Sequence, residues 1–173
     1  MMEDMVRNLQ RRRLQLRGDR EVYMHIAAVV RQKAVPKTNE SCILSVGINS
    51  ERHKRANLNC WGSMHAECDA LLKLPRHDGR RPLNVNLIIV RTNRSGGTTN
   101  SQPCRECMFR IHLISEMKNV RVRKICFTVQ DGIRVFKLDQ ARLLTPHVST
   151  GFRHHPRGIE RYCSRPSVKG SAP

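Results

Sequence analysis

Acidic residues are scarce in this chain, and so are aromatics. Only 14 Asp and Glu stand against 32 Lys and Arg, a formal net charge of +18. A balanced surface is thereby excluded, and polyanions are attracted through counterion release whether or not they are specifically recognised. Aromatic residues make up 4% and apolar residues 39%. The apolar share is below that of an ordinary globular domain, so part of the chain is expected to lie outside the core. Long hydrophobic runs are missing too. The purely aliphatic runs, such as residues 87–90, are far too short to span a bilayer. The opening residues, MMEDMVRNLQRRRLQLRGDR, hold no apolar stretch of signal length. A soluble intracellular protein, cytoplasmic or nuclear, is therefore expected, with no membrane span.

What is present suits one domain with two extensions. Residues 1–18 are basic and weakly patterned, and residues 146–173 are basic, Pro-containing and poor in aliphatics, so both read as tails around a domain over 19–145. Val22, Tyr23, Ile26, Ala27 and Val30 recur at helical spacing and predict a helix from Asp19 to the region before Pro36. CILSVGI at 42–48 and VNLIIVR at 85–91 read as strands. Ser63 is a candidate cap for a helix over 64–74, which Pro75 stops. TNRSGGTTNSQ has no apolar anchor and reads as loop. Pro103 occupies a first helical position for a helix opening at Cys104. VRVRKICFTV and IRVFKL are strands joined by an Asp131-Gly132 turn, with a short helix over 139–144. This alternation predicts an α/β fold, a three-layer α/β/α sandwich around a mixed five-stranded sheet whose last two strands form an antiparallel hairpin.

Two short stretches carry chemistry. The seven cysteines are odd in number and follow no secretory signal, so they read as buried thiols, metal ligands or catalytic groups. Cys104 and Cys107 form a Cys-x-x-Cys at a helix start, which alone also fits a redox pair or half of a four-cysteine zinc site. No second Cys-x-x-Cys exists. His65-Ala66-Glu67, at the other helix start, supplies an imidazole and a carboxylate. His65, Cys104 and Cys107 together make a three-ligand set for one Zn2+ per chain, with a fourth position left for water. Glu67 beside it is placed to take and pass on a proton. Cys68 and Cys126, within apolar segments, read as core thiols, as does Cys42.

His65-Ala66-Glu67 followed by Pro103-Cys104-x-x-Cys107 resembles the cytidine deaminase-like superfamily of zinc-dependent deaminases over roughly residues 20–145. The resemblance implies that His65, Cys104 and Cys107 hold zinc, that Glu67 is the catalytic proton shuttle, and that water is added at C4 of cytosine or C6 of adenine with release of ammonia. It implies substrate contacts at Asn49, Glu51, Ala66 and Pro103, Gly47-x-Asn49 matching the family's substrate-contacting Asn. An antiparallel last hairpin goes, in that family, with enzymes of free cytosine nucleosides or nucleotides, which commonly form homo-oligomers. The charge argues for a second role, nucleic acid or another polyanion bound through the basic termini. A rival reading also stands: a deaminase fold that turns over nothing and serves as a nucleic-acid-binding or structural component.

Overall fold

A computed structural model describes residues 7–8, 25–32, 43–49, 64–93, 97–130 and 132–143. Its elements in chain order are β1 (His25–Arg31), β2 (Ile43–Ile48), α1 (Ala66–Leu72), β3 (Leu83–Thr92), β4 (Thr98–Thr99), α2 (Arg105–Lys118), β5 (Val120–Val129), β6 (Gly132–Lys137) and α3 (Leu138–Leu143). Five strands run in the order β2-β1-β3-β5-β6, and the two-residue β4 pairs with β3. The sheet is mixed: β3 and β5 are parallel, and every other pairing is antiparallel. The mixed sheet and its antiparallel last hairpin agree with the sequence reading.

The first element does not. HIAAVVR is strand β1, not part of a helix. It lies between β2 and β3, and Ile26, Ala27, Ala28, Val29 and Val30 are all buried. A strand covered on both faces has no polar side, so its alternation vanishes and its apolar residues also fit a helical template. Val22 and Tyr23, the start of the expected helix, lie outside the described residues.

Smaller differences follow from local chemistry. Thr98 and Thr99 inside the supposed loop pair with Thr92 and Arg91, too short a ladder to leave a pattern. Gly132 is the first paired residue of β6, opposite Val129, and not a turn residue. Its φ of 137° is one an L side chain rarely adopts. Asp131 lies outside the described residues, as do Ser63, Cys42 and most of both basic extensions.

α1 and α2 pack on one face of the sheet. Buried Leu71 of α1, Leu74 just after it, and Ile111 and Ile114 of α2 meet Val85, Leu87, Ile89, Ile125 and Phe127 there. Each such fully buried aliphatic side chain stabilises by about 1.5–3 kcal/mol. α3 adds Ala141 to the same cluster. The opposite face carries a second buried cluster around Ile26, Ala28, Ile88, Val90 and Cys126. Among the described residues, no helix is long and apolar enough to cross a membrane.

Candidate metal centre

α1 is short and almost wholly buried, so its position is fixed by what touches it. Ala66, Cys68, Ala70 and Leu71 are 0% exposed. Strand β2 fastens it from the side. The Ser45 hydroxyl donates to the Ala70 carbonyl at 2.7 Å, and the Ile48 N–H donates to Asp69 Oδ2 at 3.0 Å. Asp69 also meets Lys73 Nζ at 2.7 Å. The Ala66 N–H, first of the helix, donates to Asn49 Oδ1 at 2.8 Å. Gly47 makes this closeness feasible: a Cβ there would stand 2.2 Å from the Ala66 carbonyl oxygen and 2.3 Å from the Ala70 nitrogen.

α2 is held as firmly. Ser101, three residues before Cys104, is 2% exposed. Its hydroxyl donates to the Ile89 carbonyl at 2.8 Å and accepts the Thr128 N–H at 2.9 Å. The Ser101 N–H donates to the Thr128 carbonyl at 2.9 Å. Ser101 therefore sits between β3 and β5 beyond their last paired residues, Ile89 and Phe127. Cys104 is the N-cap of α2, its sulfur accepting the Cys107 N–H. Buried Pro103 thus stands just ahead of the cap, not at the first helical position.

These supports bring the two helix starts together. Nδ1 of His65 lies 3.0 Å from Cys107 Sγ and 3.6 Å from Cys104 Sγ. The three ligand atoms are all within 4.8 Å of one another. A tetrahedral zinc with ordinary bond lengths separates a nitrogen and a sulfur ligand by about 3.5 Å. Cys104 and Cys107 are 2% and 3% exposed.

The electrostatics of the cluster also suit a cation. The Cys104 thiol is lowered to about 4, chiefly by its hydrogen bond with Cys107 and then by His65, against the opposing effect of burial. His65 is raised by the hydrogen bond with Cys104. Burial pushes Cys107 well above the ordinary thiol range and also raises Glu67. Two thiolates and a carboxylate cannot share a dry site unaided, and a bound dication reverses that balance by deprotonating its thiol ligands outright. Glu67 is 3% exposed, and its Oε2 has no hydrogen-bond partner among the described residues. An unsatisfied buried carboxylate oxygen is costly, so its persistence beside this cluster fits a site built for a further ligand. The residues present therefore fit zinc.

Of the residues expected at the site, His65, Cys104 and Cys107 meet. The adjoining Glu67 interacts with both His65 and Cys107. Asn49 and Ala66, both expected to touch substrate, are bonded to each other. Glu51 lies outside the described residues. Cys68 and Cys126 are buried free thiols, as expected. His112 is half exposed and pairs with Glu116 at 3.3 Å. The supporting residues Ser45, Asp69, Ser101 and Thr128 carry no mark in the sequence reading, and Gly47 enters it only through Gly47-x-Asn49. A lone glycine inside an apolar strand is itself a signal of close backbone approach. The hydroxyl pair has no such signal, because Ser and Thr are unremarkable in polar loops and strands.

The His65, Cys104 and Cys107 cluster fits the zinc-binding motif of the cytidine deaminase-like superfamily. No protein-family model and no curated protein sequence matches the chain. Among solved structures, the crystal structure of cytidine deaminase from Mycobacterium leprae is similar at 16% identity, covering 82% of this chain and 95% of that chain, with a TM-score of 0.41.

Proposed function

We propose that this protein is a zinc-dependent hydrolytic deaminase of a cytosine nucleoside or nucleotide, of the cytidine or deoxycytidylate type. One observation carries the reading: an imidazole and two cysteine sulfurs from separate helices converge within 4.8 Å, beside a buried carboxylate with an unpartnered oxygen. A structural zinc site has four protein ligands and no use for such a carboxylate.

His65, Cys104 and Cys107 hold the metal, one ion per chain, which supplies Lewis acidity and lowers the pKa of water toward 7. Glu67 does the proton work. Burial raises its affinity for a proton, which suits it to accept one and return it to the departing amine. Asn49, whose side-chain oxygen accepts the Ala66 N–H, is assigned to the substrate on the family resemblance, as are Ala66, Pro103 and Glu51. The antiparallel β5–β6 hairpin supports a free nucleoside or nucleotide over a polymer, on the family resemblance. The basic termini contact nucleic acid or another polyanion, and the active form is a homo-oligomer.

The test is ammonia release by the purified, zinc-loaded full chain from cytidine, deoxycytidylate and single-stranded DNA, with metal content measured in parallel. Glu67→Ala should keep zinc and lose at least about 100-fold in rate. Zinc-loaded wild type that releases no ammonia from any of the three would leave the catalytically silent, nucleic-acid-binding or structural role as the better reading.

A further inference from the structure

The metal cluster lies toward the carboxyl ends of β3 and β5, where Ser101 bonds Ile89 and Thr128. The amino ends of the same parallel pair, at Leu83 and Val120, form the opposite end of the sheet. Cations gather there. Arg76, Arg80 and Arg81 are exposed on the loop that enters β3. Arg121 and Lys124 are exposed on β5, and Lys137 on β6. Lys124 and Lys137 face each other directly across the two strands. Arg121 pairs with Asn84 and Lys124 with Asn86, two positions apart along β3 and so on the same face of the sheet. Directly opposed like charges repel. No ion pair offsets these six among the described residues. The described acids nearby are Asp78, Glu116 and Asp139, and Glu116 is engaged with His112.

The loop carrying the three arginines is anchored. Asn119, in the left-handed conformation at the end of α2, donates through its side-chain nitrogen to the carbonyls of His77 and Gly79, both at 2.8 Å. The His77 N–H donates to the Lys118 carbonyl at 2.9 Å, and the Leu83 N–H to the Asn119 carbonyl at 3.1 Å. Lys118 Nζ donates to the Leu74 carbonyl at 2.6 Å. Charges on an anchored loop lose little freedom on binding, which distinguishes them from the cations of a solvated tail.

We propose that this end of the domain, remote from the metal cluster, is a docking surface for the phosphate backbone of duplex nucleic acid, with Arg76, Arg80 and Arg81 on the anchored loop and Arg121, Lys124 and Lys137 on the sheet binding the phosphates. Arginine predominates, and its planar fork suits phosphate oxygens better than a lysine point charge does. The described aromatic nearest these cations, Phe136 beside Lys137, is stacked on buried Phe127 and packed against the core, so it offers unpaired bases no open platform. Contact with the outward-facing phosphates of a duplex, without sequence readout, is what such a surface offers. This assignment does not depend on catalysis, and it concerns the folded domain rather than the termini.

The test is fluorescence anisotropy of a short labelled DNA duplex titrated with full-length protein over a salt series. Arg80→Glu with Arg81→Glu should weaken binding on the order of tenfold or more and flatten the plot of log affinity against log salt by about 0.9 for each phosphate no longer neutralised. Arg80→Gln with Arg81→Gln gives the same direction with less disturbance, and circular dichroism confirms that each variant is folded. Arg134→Glu, which makes the same change of charge per residue near the β5–β6 turn, should have the smaller effect residue for residue. Asn119→Gly keeps the left-handed backbone and every charge but removes the two side-chain bonds to His77 and Gly79, loosening the loop, and should weaken binding severalfold with net charge unchanged. Equal effects from Arg134→Glu and from Arg81→Glu alone, or no weakening in the double variant, would overturn the proposal. So would tighter binding of polyglutamate than of duplex at matched charge, which would identify an acidic protein partner instead.

Discussion

Substituting Gly47 by alanine adds one methyl group where β2 meets α1. Gly47 does not occupy the left-handed region, so alanine's backbone is tolerated, and the substitution alone should stabilise by about 0.4–1 kcal/mol through the unfolded chain. The surroundings decide otherwise. The new Cβ would lie 2.2, 2.3 and 2.8 Å from the Ala66 oxygen, the Ala70 nitrogen and the Ala70 Cα, all backbone atoms that no rotamer change can move. Restoring ordinary van der Waals separation needs a retreat of α1 by about 1 Å. Overpacking of this kind costs about 1–3 kcal/mol. The retreat also stretches the Ser45–Ala70 and Ala66–Asn49 hydrogen bonds, each worth about 1 kcal/mol. The expected net loss is about 2–4 kcal/mol, a large share of a typical domain's 5–15 kcal/mol. Because His65 opens α1, the metal site should shift with it, and zinc affinity should fall about 10–100-fold, as when a ligand loses its support. Urea unfolding of the zinc-loaded protein and competition with a chromogenic chelator measure the two effects. Gly97→Ala, whose Cβ would meet only the Asn93 side chain at 3.2 Å or more, is the control and should be nearly neutral. A Gly47→Ala protein with unchanged urea midpoint and unchanged zinc affinity would refute the reasoning.

Other expectations follow from the same packing and hydrogen bonds. Asp69→Ala should cost about 1–3 kcal/mol by stranding the Ile48 N–H, whereas Lys73→Met, which removes the half-exposed partner of the same ion pair, should cost under about 1 kcal/mol; urea midpoints compare them. Cys126 is raised by burial from 9.0 to about 11, so the folded chain keeps a proton that the unfolded chain sheds. That contribution is intact below pH 9 and is lost as pH climbs toward 11, so wild type should lose up to about 3 kcal/mol more than Cys126→Val over that interval in pH-dependent unfolding. Phe136→Leu removes the ring stacked on Phe127 at 5.7 Å and should cost about 0.5–1.5 kcal/mol beyond the lost area, with faster amide exchange in β6 as a second readout.

The candidate site was more legible in the sequence than the fold around it. Candidate metal ligands must be particular residue types at particular spacings, so His65, Cys104 and Cys107 stand out with no structural context, and Glu67 stands out beside them as a candidate proton carrier. Strands β3 and β5 were legible because their β-branched runs are bounded by clear breakers. Strand β1 was not, since burial on both faces removes the alternation that separates a strand from a helix. Strand β4 was hidden by its length of two residues. The fastening of the helices could not be read either, because hydrogen bonds such as Ser101 to Thr128 join residues distant in sequence whose types are individually commonplace.

Histidine and cysteine ligands that are 39 residues apart in the chain meet at one point. An ion gripped there does what a disulfide would do: it closes a loop that the unfolded chain leaves open, a constraint worth roughly 4 kcal/mol for that length. Metal supply would then govern how long the polypeptide survives cellular proteases, because the loop would open more readily with the site empty.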